Sequence, residues 1–279
     1  MIDQLFQDLA KMPQVEAIAL GGSRSGTYYD EKSDYDIYLY CTGPITEQQR
    51  RDILSKYCSY VEYGNHFWEL EDNGTLNNGI DFDLLFRNLD DFSKDLSDVV
   101  ELHNARNGYT TCMWHNLLTC KMIYARDGRL AAATSRFDVP CPEELRKNII
   151  CRNRKLLSDM MPSYDGQIRK AISRNDLVSI NHRTSAFLES YFDIIFALNR
   201  KTHPGEKRLI SLCKAGCPVL PRDFEKNLLC LFKSMYVDPD MSTEAVRRIV
   251  EEIDNILRIP LLHYSPTRGI MSADTVLGG

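Results

Sequence analysis

The sequence GGSRSGTYYDEKSDYD occupies residues 21–36 and joins two apolar segments with the character of β-strands. Residues 15–20 precede it, and the alternating segment 34–41 begins with Asp34 and Asp36. Side chains at positions i and i+2 of a strand project from the same face, so these two carboxylates are expected side by side. Neighbouring carboxylates repel each other unless a cation holds them. The stretch therefore predicts a strand–turn–strand unit with an acidic pair that needs a counter-ion.

The turn itself has the composition of a phosphate-binding loop. Gly22 and Ser23 follow the first strand, and a Gly-Ser turn supplies free backbone N–H groups that hold phosphate oxygens well. A phosphate cradle beside paired aspartates is the minimum equipment for handling a nucleoside triphosphate with Mg²⁺. Each part also has an ordinary alternative, because isolated aspartates often cap turns and Gly-Ser is often only a turn.

A second acidic pair lies in the alternating segment 77–87. Its apolar side chains fall on one face, while Asp81 and Asp83 fall on the other. If this strand is a neighbour of the strand that begins with Asp34 and Asp36, three or four carboxylates converge at one place in the sheet.

Together these motifs resemble the nucleotidyltransferase superfamily with the polymerase-beta-type fold. Within it, the chain is most similar to aminoglycoside and lincosamide adenylyltransferases and to uncharacterised bacterial relatives with a helical second half. The stretches 126–130 and 196–207 resemble the helical domain of that group. The resemblance implies an α+β protein: an N-terminal nucleotidyltransferase domain (1–106) with a mixed β-sheet flanked by helices, then an all-α helical-bundle domain (107–279) that binds the acceptor.

The resemblance also implies roles for single residues. Asp83 is expected to be the third carboxylate, either as a metal ligand or as the acceptor of the proton from the attacking hydroxyl, and Asp81 is its rival. Lys207 is expected to reach the triphosphate, with a solvated lysine as the alternative. Arg24 is a candidate contact for the leaving pyrophosphate or an ordinary surface arginine, and Ser33 either caps the loop or touches phosphate.

The function implied is that of a Mg²⁺-dependent enzyme that transfers AMP from ATP to a hydroxyl of a small molecule, antibiotic-like by analogy. One alternative is a protein-modifying, AMPylating enzyme of the antitoxin type. Another is a catalytically silent nucleotide-binding protein, although nucleotide binding alone does not require so many clustered carboxylates.

Bulk properties narrow the classes further. The net charge of −5 disfavours a long nucleic-acid partner, which is usually bound through a basic face. No apolar stretch approaches the roughly 20 residues that span a bilayer, so no membrane partner is expected. The amphipathic, acidic N-terminus is unlike a signal peptide, and we expect a cytoplasmic location. The nine scattered cysteines indicate structural thiols and not a disulfide framework.

Local signals predict the remaining elements. We expect a helix capped by Thr46, strands at 59–63 and 66–70, and a turn at Asp72-Asn-Gly. Beyond about residue 104 the periodicity is helical, and Ser242 is expected to cap the last helix. The histidines lack the spacing of metal ligands. Aromatic residues, Trp68 and Tyr109 among them, are candidates for stacking or for the core, and residues 267–279 are expected to be loosely ordered.

Overall fold

The computed structural model describes residues 1–25, 33–67 and 69–258. Strands of this described part form one mixed six-stranded sheet in the order β3-β4-β5-β2-β1-β6. The strands are β1 (Val15–Leu20), β2 (Tyr35–Cys41), β3 (Cys58–Asn65), β4 (Leu70–Leu76), β5 (Asp81–Arg87) and β6 (Lys121–Ala125).

Helices surround the sheet and make up most of the chain after residue 88. The helices are α1 (Ile2–Ala10), α2 (Glu47–Leu54), α3 (Leu89–Val100), α4 (Cys112–Thr119), α5 (Arg129–Phe137), α6 (Glu143–Arg154), α7 (Tyr164–Ser173), α8 (Leu177–Leu198), α9 (Leu209–Gly216), α10 (Phe224–Ser234) and α11 (Pro239–Arg258). A 3₁₀ turn covers Ser23–Ser25, and a π-helical turn over Lys155–Asp159 extends α6.

The pairing of β2 with β5 is parallel, whereas the other strand pairs are antiparallel. The two acidic segments of the sequence thus lie on adjacent central strands, as the sequence interpretation requires. Asp36 pairs directly with Asp83 in this register.

The sheet has one apolar core on each face. On one face, Leu5 and Leu9 of α1 and Leu54 of α2 pack against Ile37 and Leu39 of β2. On the other face, Tyr38 and Tyr40 belong to a larger core that continues without a break through α3 to α11. The α+β fold class expected from the sequence is therefore confirmed: a mixed sheet with helices, followed by packed helices.

β6 was not expected from the sequence. It pairs with β1 and so completes the sheet with residues that follow the predicted boundary at 106/107. The boundary itself stays a prediction, but the sheet draws strands from both sides of it. β6 is short and lies at an edge, which explains why its five residues carry no clear alternation.

The strand expected at 66–70 and the turn expected at Asp72-Asn-Gly are both wrong. Residues 70–76 form β4, and the turn that follows lies at 77–79. Asp72 is fully buried in this strand, where it pairs with Arg50 and accepts the Gly64 N–H at 2.9 Å. Gly74 is required because a Cβ there would lie 2.4 Å from a backbone oxygen of β3. The Asn-Gly pair thus marks a close approach between strands and not a turn.

Helix caps gave mixed results. Thr46 caps α2 through a capping box with Gln49, as predicted. Ser242 does not cap the last helix, because α11 begins three residues earlier and the Ser242 hydroxyl donates back to Asp238 O at 2.7 Å. Trp68 and residues 267–279 lie outside the described residues.

Candidate functional site

The core of the site is a pair of carboxylates on neighbouring strands. Asp36 and Asp83 occupy directly opposed positions of β2 and β5, so both side chains project from the same face of the sheet. Both are half-buried. Asp34 lies two residues before Asp36, at the entrance to β2 and also half-buried. The structure thus brings together the three carboxylates that the sequence singled out.

The neighbouring carboxylates act electrostatically on Asp36. The pKa of Asp36 is raised to about 6, first by burial and then by the charges of Asp34 and Asp83. Lys207 opposes this rise and Glu206 adds to it. A carboxyl held among other carboxylates accepts a proton or a cation readily, because either one relieves the repulsion.

The glycines before Ser23 fit tightly against β2. Gly22 has φ +58°, and a Cβ there would lie 1.6 Å from a carboxylate oxygen of Asp36. At Gly21 a Cβ would lie 2.2 Å from the Tyr38 ring, while its N–H donates to Asp36 O at 2.7 Å. Neither position has room for a side chain, because the turn that carries Ser23 lies directly over the Asp36 carboxylate.

Arg24 and Ser33 hold the two ends of the loop together. The Arg24 Nε donates to Ser33 O at 2.6 Å and to Asp34 O at 3.1 Å, and its guanidinium lies 4.0 Å from the centre of the Tyr35 ring. Arg24 therefore fixes the start of β2 beside the glycine turn. The intervening residues 26–32 lie outside the described residues.

Asp83 and Asp81 differ in their surroundings. Asp83 is half-buried opposite Asp36, whereas Asp81 is exposed and accepts a hydrogen bond from Thr75 Oγ1 at 2.7 Å. The geometry therefore favours Asp83 over Asp81 as the third carboxylate.

Strand β4 adds polar side chains that the sequence interpretation missed. Asn73 lies opposite Asp83 and donates from Nδ2 to Asp83 Oδ1 at 2.7 Å. Glu71 is 5% exposed on the same strand face, and burial together with the charge of Asp83 raises its pKa. The assignment of 72–74 to a turn hid Asn73, and Glu71 was not singled out. The competing turn signal at 77–79, immediately before β5, was the indication that could have revealed them.

A loop from the helical part carries Lys207 and Glu206 towards the carboxylates. Both side chains are exposed and act electrostatically on Asp36. His203 anchors this loop and is fully buried. Its backbone N–H donates to Thr111 Oγ1 at 2.8 Å, and its ring Nδ1 accepts the Gly205 N–H at 3.1 Å. Burial lowers the pKa of His203 to about 4, so the imidazole is neutral and structural.

The anchor continues into the helices through a second buried carboxylate. Asp193 is 1% exposed and accepts hydrogen bonds from the Thr110 N–H (3.1 Å), the Thr110 hydroxyl (2.7 Å) and Asn153 Nδ2 (2.9 Å). Burial raises its pKa to about 6 despite these donors. The segment around Tyr109 is fixed in this way beside the His203 ring, 4.8 Å away between centres.

A cavity of about 440 Å³ opens next to this loop. Its lining shares Glu206 with the surroundings of Asp36 and otherwise mixes aromatic, aliphatic, polar and charged side chains. Lining residues include Tyr109, Ser185, Glu189, Phe192, Glu206 and Phe232. Of the aromatic candidates in the sequence, Tyr109 thus lines a cavity, whereas Trp114 is 2% exposed and donates to Phe137 O within the core.

The acidic residues do not form a closed metal cage. Among residues 1–25, 33–67 and 69–258, no group of three or more His, Cys, Asp or Glu side chains is arranged to hold a metal ion. A Mg²⁺ ion that binds together with a nucleotide is usually held by one or two carboxylates plus phosphate oxygens and water. Asp36 and Asp83 supply that number of carboxylates in adjacent positions.

Comparisons with known proteins found one family model and several solved structures similar to this chain. Residues 109–209 match the family described as "Domain of unknown function (DUF4037)". The fold is similar to that of a nucleotidyltransferase-like protein from Exiguobacterium sibiricum, with 11% identity over 92% of this chain and 74% of that one, at a TM-score of 0.40.

Two further solved structures are similar at 10% identity. An aminoglycoside 6-adenyltransferase from Bacillus subtilis is matched over 92% of this chain and 90% of that one, with a TM-score of 0.27. A spectinomycin adenyltransferase from Enterococcus faecialis, solved with ATP and spectinomycin, is matched over 90% of this chain and 98% of that one, with a TM-score of 0.31. TM-scores of this size describe a partial likeness.

No curated protein matches the sequence. In the described part of the chain, no helix combines the length and the apolar character needed to cross a membrane.

Proposed function

We propose that the protein is a Mg²⁺-dependent nucleotidyltransferase that moves a nucleoside monophosphate, AMP from ATP, onto a hydroxyl of a small molecule. The observation that carries this proposal is the opposed pair Asp36 and Asp83, with the Gly22 turn packed against the Asp36 carboxylate. Two partly buried carboxylates held at hydrogen-bonded strand positions are costly without a cation, and the adjoining turn suits the phosphates that bring one.

Each group has a task in this proposal. Asp36 and Asp83 hold Mg²⁺, which when bound neutralises charge on the phosphate oxygens. Gly22 and Ser23 contact the β- and γ-phosphates. Lys207 approaches the same triphosphate from the helical side, because it already lies within electrostatic reach of Asp36.

The transfer step is an in-line displacement. A new bond forms between the acceptor oxygen and the α-phosphorus, and the bond from that phosphorus to the leaving pyrophosphate breaks. The proton of the attacking hydroxyl passes to a carboxylate beside the metal ligands, for which Asp34 is the candidate. The residues around the site contribute mainly by orienting the two reactants, which is where most of the rate gain in phosphoryl transfer arises.

The acceptor is proposed to occupy the cavity of about 440 Å³ that contains Tyr109, Glu189 and Glu206. Glu206 joins this cavity to the carboxylate site, since its charge acts on Asp36. The carboxylates of this cavity can accept hydrogen bonds from the hydroxyl groups of a small molecule, and its aromatic side chains can pack against the rings of that molecule. Antibiotics of the aminoglycoside or lincosamide type belong to this class of acceptor.

The direct test incubates the protein with ATP labelled at the α-phosphate, Mg²⁺, and a panel of aminoglycosides, lincosamides and small-molecule extract. Label on a small molecule supports the proposal, and label on protein supports AMPylation instead. Tight ATP binding without transfer indicates a silent nucleotide-binding protein.

Asp83→Asn and Asp81→Asn are the matched pair of variants for this assay. Both remove one charge from β5, but only Asp83 lies opposite Asp36. Transfer is expected to be lost in Asp83→Asn and kept in Asp81→Asn. Equal activity of the two variants would contradict the assignment of Asp83.

A further inference from the structure

A line of hydrogen bonds crosses three strands and ends on Asp83. Tyr60 OH donates to Glu62 Oε1 at 2.8 Å, and Asn65 Nδ2 donates both to Glu62 Oε2 at 3.3 Å and to Asn73 Oδ1 at 2.7 Å. Asn73 Nδ2 then donates to Asp83 Oδ1 at 2.7 Å. The line runs from β3 across β4 to β5, and Asp36 on β2 is the next position beyond it.

The neighbours of Asn73 fix the orientation of its amide. Its oxygen accepts from Asn65, so its NH₂ group must face Asp83, which as a carboxylate can only accept. A flipped amide would place oxygen against oxygen and lose both hydrogen bonds at once. Asn73 therefore presents a donor to one defined oxygen of Asp83.

A second acid lies on the same face of β4. Glu71 is two residues before Asn73, is buried, and has its pKa raised by burial and by the charge of Asp83. Asn73 is the neutral donor directly opposite Asp83 in this acidic surrounding. Without the Asn73 amide, Asp83 loses the hydrogen bond that orients its carboxylate.

We propose that Asn73 is a positioning residue for Asp83: it occupies one carboxylate oxygen and leaves the other for the cation shared with Asp36. This inference rests on the proposed function and deepens it. An outer hydrogen-bond partner of a metal ligand holds the ligand in its productive orientation, and its loss weakens metal binding by about 10–100-fold.

The same pair of strands provides a matched control. Thr75 on β4 lies opposite Asp81 and donates to Asp81 Oδ1 at 2.7 Å, the same distance as in the Asn73–Asp83 pair. Thr75→Ala therefore removes an equivalent cross-strand hydrogen bond from an exposed carboxylate that does not oppose Asp36. Any general weakening of the β4–β5 pair affects both variants, whereas loss of positioning affects only Asn73→Ala.

The experiment titrates Mn²⁺ into the full chain with a non-hydrolysable ATP analogue and follows bound Mn²⁺ by electron paramagnetic resonance. Asn73→Ala is expected to weaken the Mn²⁺ affinity by about 10–100-fold, while Thr75→Ala binds as the wild type does. In the transfer assay, added Mg²⁺ should restore the rate of Asn73→Ala but not that of Asp83→Asn. Asn65→Ala, which leaves the Asn73 amide in place but unfixed, is expected to show a smaller loss of Mn²⁺ affinity and serves if Asn73→Ala does not fold.

The failures are distinguishable. If Asp83→Asn binds Mn²⁺ like the wild type, the proposed function falls together with the inference. If Asp83→Asn loses Mn²⁺ while Asn73→Ala and Asn65→Ala match Thr75→Ala, the site stands and the role of Asn73 is overturned.

Discussion

Asp36 and Asp193 are two carboxyl groups whose pKa burial raises to about 6, but their neighbours are of opposite kinds. Asp193 is met by three hydrogen-bond donors from Thr110 and Asn153. Asp36 is met by the carboxylates Asp34 and Asp83. A similar pKa therefore arises at a carboxylate that hydrogen-bond donors satisfy and at one that has other carboxylates as neighbours. The partners of a carboxylate, more than its pKa, indicate which of the two it is.

The largest expected difference between the two sites is in activity. Asp36→Asn should lower the rate of nucleotidyl transfer by about 10²–10³-fold, because the near-isosteric amide cannot hold a cation at the phosphates. Asp193→Asn should lower kcat far less, because Asp193 acts on the candidate site only through the Tyr109 segment that it holds in place. Steady-state kinetics on both variants, with circular dichroism to verify folding, test this contrast. Comparable kcat losses in the two variants would contradict it.

The second expected difference is in stability, and here the larger loss is expected at Asp193. In Asp193→Asn, an NH₂ group replaces one of the two oxygens that accept hydrogen bonds from Thr110 and Asn153, and this group donates where an acceptor is needed. The mismatch should lower the free energy of unfolding by about 2–3 kcal/mol. Urea denaturation measures this loss. Asn153→Ala removes one of these donors and also the acceptor of the Gly108 N–H, so it should cost at least as much. A wild-type midpoint for Asp193→Asn would show that these hydrogen bonds contribute little.

The smallest effect is a pH-dependent gain in stability at the candidate site. The folded-state pKa of Asp36 is raised from 3.8 to about 6, so its contribution to stability is present below pH 3.8 and is lost as the pH rises through about 6. Asp36→Asn should therefore exceed the wild type by about 1 kcal/mol above pH 6, a value reduced because Asp36 is partly exposed, and should match it at pH 4. Thermal melts at both pH values check the difference.

Nucleotide with Mg²⁺ provides the internal control for this pH dependence. It should stabilise the wild type at pH 7 and leave Asp36→Asn unchanged, since the repulsion around Asp36 is what the cation relieves. A constant difference between the variant and the wild type from pH 4 to pH 7 would argue against repulsion at Asp36.

The sequence was informative where chemistry and local spacing coincide. Gly22, Asp34 and Asp36 are separated by a short loop, and their residue types alone restrict what they can do. The juxtaposition of Asp36 and Asp83 depended on strand order, which the sequence only suggested. The parallel pairing of β2 and β5 supplies it.

What the sequence concealed depends on contacts between distant segments. Asn73 and Glu71 were assigned to a turn or left unmentioned, because Asp72-Asn-Gly has the composition of a turn. Their strand conformation is imposed by partners elsewhere: Asp72 pairs with Arg50, and Gly74 allows β3 to approach. Tertiary contacts override local preference here, and no local pattern records them.

The origin of β6 has a practical consequence for anyone who wishes to express the N-terminal part of the chain alone. A fragment that stops at residue 106 leaves β1 without its outer neighbour, so a row of backbone donors and acceptors becomes an open template for another chain. It also exposes Tyr38 and Tyr40, because the later helices supply most of the core to which these side chains belong. Such a truncation is expected to self-associate, and a useful minimal fragment has to extend past Ala125.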